Sequence, residues 1–257
     1  VYGFGAPTGV VFGENGCFEK MYSDGLLLIC ESARGEVFQY SPKPQGAGFS
    51  LQRSVFMKLR SGSKHSGMFR PSDVAVGPDG AIYISDWYDP GVGGHRMQDP
   101  KGSGTIYRVA PNDFIPTIDK PDLSTVPGMI SALKNPAVHV RALGFRSLQA
   151  LGEDAGPEII ALTHSDQPFF VARAVWLLPN CGEKGFNRLA ELLHHVNPQI
   201  RVTAFRSLRR AMSTPVASNG LRSLWLQAQE QACSDSAPSV RREAAISLRD
   251  EPFEVCR

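Results

Sequence analysis

The residues best suited to chemistry lie in a long connection between two strand-like runs. The run GAIYISD ends at residue 86, and GTIYRV begins at residue 104. Eighteen residues, Trp87 to Gly104, lie between Asp86 and Thr105. A connection this long inside a compact hairpin is usually functional or disordered. Trp87 and Tyr88 can anchor it, and its glycines permit turns that other residues resist, so we expect an ordered loop.

This loop carries three carboxylates and one imidazole: Asp86, Asp89, Asp99 and His95. Calcium takes six to eight oxygen ligands in flexible geometry. The three carboxylates with nearby carbonyls are therefore a candidate calcium site, although their spacing matches no EF-hand. His95 is the candidate catalytic base, and His95 or Asp89 could instead contact a substrate or cofactor. A purely structural loop is the third interpretation.

The elements around this loop have the pattern of an antiparallel meander. Up to about residue 110, short β-branched and aromatic runs alternate with Gly, Pro and Asp. GPDG at 77–80 predicts a tight turn between two strands with one buried face. Residues 1–111 supply about two four-stranded units, and a β-propeller usually needs four to eight. Either further blades lie upstream, or this is a small open sheet.

The second half has the period of helices and repeats itself. NPAVHVRALGFRSLQAL from 135 resembles NPQIRVTAFRSLRRA from 197, and weaker copies begin at 166 and 235. Alignment places residues 141, 172, 201 and 241 at equivalent positions, a spacing in or near the range of helical repeats. Asp or Asn followed by Pro predicts a helix start. Stacked helix pairs of this kind build an α-solenoid.

These patterns predict a β-then-α chain of two parts. Residues 1–111 are expected to form the C-terminal blades of a β-propeller, and residues 127–257 a HEAT-like helical solenoid. The proline-rich segment 112–126 is the predicted linker. HEAT repeats often place a Val-Arg pair in the second helix, as in Val140-Arg141 and Val240-Arg241.

Composition excludes some classes of function. Residues 1–111 carry 11 basic and 10 acidic side chains, and residues 112–257 carry 16 and 15. Neither half is built for nucleic acid, and no apolar run reaches the roughly 18 residues of a transmembrane helix. The five cysteines match no zinc pattern. Buried free thiols are expected, with a Cys17–Cys30 disulfide as the alternative in an oxidising compartment.

Two stretches carry a resemblance to a known family. FRPSDVAVGPDGAIYISDWYDPGVGGH followed by GTIYRVAP, with APTGVVFGENGCF and LLLICESARGEVFQY upstream, resembles the last propeller blades of membrane-bound dehydrogenases from planctomycetes and verrucomicrobia. That family is related to sorbosone and glucose dehydrogenases. Its members continue into HEAT-like repeats and then a cytochrome c domain with a CxxCH haem site. This chain has no CxxCH, so covalent haem is expected only on a further domain.

The resemblance implies a piece of an exported, periplasmic dehydrogenase-like protein that oxidises a sugar or alcohol and passes electrons to haem c. The start in VYGFGAPTGV, without Met or a signal sequence, fits that expectation. His95 would be the base, Arg70 and Arg108 would hold an anionic cofactor such as a quinone, and calcium is a further implied ion. The alternative is a non-catalytic scaffold that binds a protein or polysaccharide, with the HEAT face as the partner surface. A structural spacer is a third role.

Overall fold

In the computed structural model, residues 5–63, 67–89, 103–118, 120–213 and 219–249 are described. Strands come first and helices second, which confirms the β-then-α order. The described residues divide into two compact units. One contains residues up to 43, 50–120 and 135–140, and the other contains 44–49, 121–134 and those from 141 onward.

Two antiparallel sheets account for the described strands. The first has the order β1-β2-β3-β4 and the second β5-β6-β7, so neighbours in sequence are neighbours in space. The strands are β1 (Pro7–Gly13), β2 (Leu26–Glu31), β3 (Glu36–Gln45), β4 (Gly48–Lys58), β5 (Pro71–Val76), β6 (Ile82–Asp86) and β7 (Thr105–Val109).

The two sheets share one apolar core, because alternate residues of each strand point to the same side. Leu28 of β2, Val74 of β5 and Ile84 of β6 are almost fully buried in one cluster with Phe69. The predicted β5–β6 hairpin is present, with Val74 opposite Ile84 and Val76 opposite Ile82. Its turn places Gly80 at φ 81°, the left-handed conformation that glycine accepts most readily.

The helices follow as successive pairs. They are α1 (Val126–Lys134), α2 (Val138–Leu151), α3 (Gly156–Leu162), α4 (Pro168–Val175), α5 (Gly182–Leu192), α6 (Pro198–Met212), α7 (Asn219–Cys233) and α8 (Pro238–Leu248). Short 3-10 turns at Gly152–Ala155 and Leu178–Asn180 precede α3 and α5. None of the described helices is long and apolar enough to span a bilayer. The described residues between Val109 and Val126 form neither strand nor helix.

The even-numbered helices set the register of the repeat. α2, α4, α6 and α8 begin at residues 138, 168, 198 and 238, so successive starts are 30, 30 and 40 residues apart. In this register Arg141, Val171, Arg201 and Arg241 are equivalent. The sequence alignment on Ala172 is wrong by one residue, because α4 begins at Pro168, directly after the extended Gln167.

A close approach between α1 and α2 depends on one glycine. A Cβ added at Gly144 would lie 2.6 Å from both the Met129 oxygen and the Leu133 nitrogen, and 2.8 Å from the Ala132 Cβ. Those are backbone atoms of the facing helix and one of its methyl groups, so a side chain at 144 would push the two helices apart.

Gly144→Ala is therefore expected to destabilise the protein, by about 1–3 kcal/mol of overpacking. An alanine within a helix normally stabilises a protein by up to about 1 kcal/mol relative to glycine. A decrease in the free energy of unfolding for Gly144→Ala would therefore itself indicate the close approach. Thermal unfolding followed by circular dichroism measures the effect, and Gly144→Ser should cost more. A melting temperature for Gly144→Ala at or above that of the parent would contradict the close approach.

Candidate functional site

The predicted carboxylates Asp86 and Asp89 are buried and hold the start of the long connection. The Oδ1 atom of Asp86 accepts hydrogen bonds from the backbone nitrogens of Arg70 at 2.8 Å and Tyr88 at 2.9 Å. The Asp89 Oδ2 accepts one from Trp87 Nε1 at 3.1 Å. Between the two, Tyr88 adopts φ 57°, an uncommon conformation for a residue with a side chain. The Asp86 carboxylate therefore fixes the backbone where the chain leaves β6, and the Asp89 carboxylate holds the Trp87 side chain.

The structure does not bring the two predicted cofactor-binding arginines together. Arg70 lies beside Asp86, at the end of β6, whereas Arg108 pairs in register with Tyr83, near its beginning. Arg108 donates from Nε at 2.9 Å and from Nη2 at 2.8 Å to the Oδ2 of Asp79. Burial alone would raise the pKa of Asp79, but hydrogen bonds from Arg108, the Ala81 nitrogen and Tyr83 outweigh it and lower that pKa.

His95 and Asp99 lie outside the described residues, so the catalytic role of His95 and the calcium site stay predictions. Among the residues that are described, no three His, Cys, Asp or Glu side chains are grouped to hold a metal ion. Asp86 and Asp89 would each have to take a calcium ion in addition to the hydrogen bonds they already accept.

The cysteines of the sheet unit are free thiols. Cys17 is half-buried and Cys30 buried, and neither forms a disulfide, so the structure favours the free-thiol expectation. Burial, with the charge of Asp79 nearby, raises the pKa of Cys17 to about 11. Burial raises the pKa of Cys30 to about 12. Because the thiolate is the nucleophile, these two residues are poorly suited to covalent catalysis.

The turns before the even-numbered helices share one hydrogen bond. In each turn, the accepting side chain belongs to the residue six positions before the equivalent of Arg201. It accepts a hydrogen bond from the backbone nitrogen of the residue two positions after itself. The four bonds are Asn135 Oδ1 with Ala137 N at 2.9 Å, Ser165 Oγ with Gln167 N at 3.2 Å, His195 Nδ1 with Asn197 N at 3.0 Å, and Asp235 Oδ1 with Ala237 N at 2.7 Å. Polar side chains of this kind satisfy backbone donors just before a helix.

Arg201 joins two of these turns. Its Nη1 donates to the carbonyl oxygens of His195 at 2.8 Å and Val196 at 3.2 Å, in its own turn. Its Nε and Nη2 donate to the two carboxylate oxygens of Asp235, in the next turn, at 2.9 and 2.7 Å. The side chains are 12% and 8% exposed. Burial opposes ionisation of Asp235, but the bonds from Arg201 prevail and lower its pKa.

One pair of turns encloses a groove of about 320 Å³, within the range of small-molecule sites. It lies between the turn that precedes α4 and the turn that precedes α6. Its apolar lining residues are Pro168, Val171 and Ile200, and its polar lining includes His164, Ser165, Asp166, Arg188, His195 and Asn197. We call this the α4–α6 groove.

The polar side chains of the α4–α6 groove are only partly committed to one another. Arg188 donates to Thr163 Oγ1 at 2.8 Å and to Glu191 at 2.6 Å, and its Nη2 lies 3.4 Å from His164 Nδ1. Asp166 is exposed and makes no hydrogen bond or ion pair with other described residues. This groove is the candidate functional site.

The sequence patterns predict no site at this groove. The available signal was the 30-residue register. In that register Val171 is in line with Arg201, so the second copy lacks the arginine that the other three copies have.

Comparisons with known proteins add little to the functional assignment. Residues 1–113 match the family model of a domain of unknown function, DUF7133. No curated protein matches the chain. Among solved structures, the crystal structure of an engineered protein is similar to 49% of this chain, at 18% identity and a TM-score of 0.34. The match spans 62% of that engineered protein. The resemblance to dehydrogenases stays a prediction.

Loss of the Asp235 charge is expected to destabilise the helical unit. Asp235→Asn leaves Arg201 without its buried counter-charge and should cost about 3–5 kcal/mol near pH 7. A carboxyl group with a lowered folded pKa stabilises above its unfolded pKa, and that contribution is lost as the pH falls through the folded value. The parent should therefore lose stability below about pH 4, while the variant loses less over that range.

Urea unfolding at pH 7 and at pH 3 measures this difference. The matched control is Glu158→Gln, which neutralises an exposed carboxylate on α3 and should change stability by less than about 0.5 kcal/mol. An Asp235→Asn variant as stable as the control at pH 7 would contradict the role of the bridge.

Proposed function

We propose that the helical part of this chain is a HEAT-like binding scaffold for a protein partner. The observation that carries the proposal is the same turn bond recurring before α2, α4, α6 and α8. A regular turn stacks one helix pair on the next, and such arrays present a continuous surface to partners. No catalytic residue is needed for this role.

The distribution of polar bonds supports a scaffold. Ser207 of α6 donates to the Val175 carbonyl of α4 at 2.9 Å, and Arg206 holds Glu243 of α8 through bonds of 2.9 and 2.8 Å. Burial disfavours the charged form of Glu243, but bonds from Arg206 and Arg242 outweigh it and lower its pKa. These side chains join successive repeats. The α4–α6 groove, by contrast, leaves polar atoms accessible.

For the strands, we propose that the two sheets are neighbouring blades of a β-propeller. Two observations support this proposal: the strands of each sheet are antiparallel and follow in sequence order, and the two sheets share one apolar core. Two small open sheets packed together have the same local features. Further four-stranded units in a longer chain are what would distinguish a propeller from them.

Oxidation of a sugar or alcohol by a longer, exported protein is the second candidate. The observation in its favour is the backbone at Tyr88, since conformations of this kind cluster at functional sites. In this proposal His95 is the base, Arg70 or Arg108 contacts a quinone, Asp86, Asp89 and Asp99 hold calcium, and haem c lies on another domain. Oxidation is the weaker candidate, because three of these side chains already make hydrogen bonds within the protein: Asp86, Asp89 and Arg108.

The scaffold proposal predicts peptide ligands that depend on the groove. Selection of displayed random peptides on the immobilised chain should enrich sequences that bind the parent, lose at least about tenfold in affinity on Asp166→Asn, and bind Glu158→Gln normally. Fluorescence anisotropy with the enriched peptides measures these affinities. Failure to enrich any sequence, or equal binding to both variants, would count against the scaffold.

The oxidation proposal predicts turnover that depends on His95. With a reducible dye and added quinone and calcium, a chain extended to its full length should oxidise one member of a panel of sugars and alcohols. His95→Gln should lower that rate by about 10²-fold or more, because a positioned base contributes roughly 10²–10⁴-fold. His194→Gln, which alters an exposed imidazole in a helix-pair turn, is the control. Equal rates in the two variants would exclude His95 as the base.

A further inference from the structure

The α4–α6 groove occupies a place in the repeat that an arginine fills one repeat later. In the next pair of turns, the Arg201 guanidinium lies between its own turn and Asp235. The small space beside it is lined by Arg201 and Asp235 themselves, together with apolar residues and Gln231. The guanidinium is thus part of the packing between α6 and α8.

The α4–α6 groove lacks both members of that bridge. Val171 stands where Arg201 stands in the next repeat, and its short side chain is buried in the helical core. His195 stands where Asp235 stands, as the shared turn bond shows. The valine side chain ends at Cγ, well short of the terminal nitrogens of an arginine, and cannot span the distance between the turns. The space therefore remains open as the groove.

The acceptors for a guanidinium nevertheless remain. In the repeat register, the carbonyl groups of Ser165 and Asp166 correspond to those of His195 and Val196, which accept from Arg201. Arg241 makes the same contacts in its own turn, at 2.6 Å to the Asp235 oxygen and 3.0 Å to the Ser236 oxygen. Two neighbouring carbonyls are therefore the arginine-binding element of this turn.

The charges of the groove also favour a cation. Asp166 contributes one negative charge with no ion pair to other described residues. The positive charge of Arg188 is offset by Glu191 at 2.6 Å. His195 accepts a hydrogen bond at Nδ1, so its neutral ring carries the proton on Nε2 and offers no acceptor to a guanidinium there. The imidazole thus replaces the carboxylate of Asp235 without supplying its charge.

We propose that the α4–α6 groove binds an arginine side chain of a partner protein, in the place that Arg201 occupies one repeat later. The inference rests on the scaffold function proposed above. A planar guanidinium matches two adjacent carbonyls and a carboxylate, whereas a lysine ammonium offers a single point charge. The ligand is therefore arginine rather than a basic residue of either type.

Titration with acetyl-arginine-amide, followed by the nitrogen and proton resonances of Asn197 and by the His195 imidazole, tests the proposal on the intact chain. Saturable shifts are expected, and acetyl-lysine-amide should bind at least about fivefold more weakly. His195→Asp, which supplies the missing carboxylate, should tighten the arginine ligand by about tenfold or more. Asp166→Asn should weaken it, and Glu158→Gln should leave it unchanged.

Val171→Arg with His195→Asp recreates the bridge within the chain and should abolish binding. Val171→Met, which adds length without a guanidinium, is its control and should retain more binding. If the arginine variant fails to fold, His195→Asp alone still decides the question. Absence of saturable shifts in both parent and His195→Asp, equal affinity for lysine, or shifts with inorganic phosphate instead would overturn the proposal.

The two proposals fail separately. Selected peptides that need the groove but contain no required arginine would contradict the arginine site and leave the scaffold standing. Failure to select any peptide, together with saturable binding of acetyl-arginine-amide, would contradict the scaffold alone and identify a small-molecule guanidinium site.

Discussion

Stacking of helix pairs is the interaction on which the second half of the chain depends. Each pair has an apolar face too wide to be covered by its own two helices, and the faces merge into one cluster that extends from Met129 in α1 to Ala244 in α8. Burial of this surface supplies the main favourable free energy. The apolar cluster can be continuous only if every turn sets the next helix at a similar angle. This requirement explains why four different side chains make the same hydrogen bond in the four turns.

Buried polar groups follow from the same packing. A charge removed from water must be paired, because the cost of leaving it unpaired exceeds most single contributions to stability. Glu243, which is 3% exposed, meets two arginines, and Asp79, which is 4% exposed, meets Arg108, Tyr83 and a backbone nitrogen. These two carboxylates thus link neighbouring elements of the fold.

The sequence predicts much of the fold and little of the candidate site. A buried strand face can be predicted from the alternation of apolar residues at Val74, Val76, Ile82 and Ile84. A helix start can be predicted from Asn197-Pro198. Both signals depend only on residues close together in the sequence. The pairing of Arg108 with Asp79 was not foreseen, since it joins residues 29 positions apart across a turn. The groove was missed for a related reason: residues 163–171 and 188–200 line it together, so it exists only once the two turns are packed side by side.

The absence of the arginine–aspartate pair between the turns before α4 and α6 need not weaken the stack. Removing one member of a buried ion pair leaves an uncompensated charge and costs about 3–5 kcal/mol, whereas replacing both members is often neutral. In the α4–α6 groove both positions differ together, as Val171 and His195. Val171 contributes apolar packing to the core, and the His195 Nδ1 keeps the hydrogen bond that shapes the turn. The repeat therefore keeps its geometry without the ion pair, and the space between the two turns is open as a groove at little cost in stability.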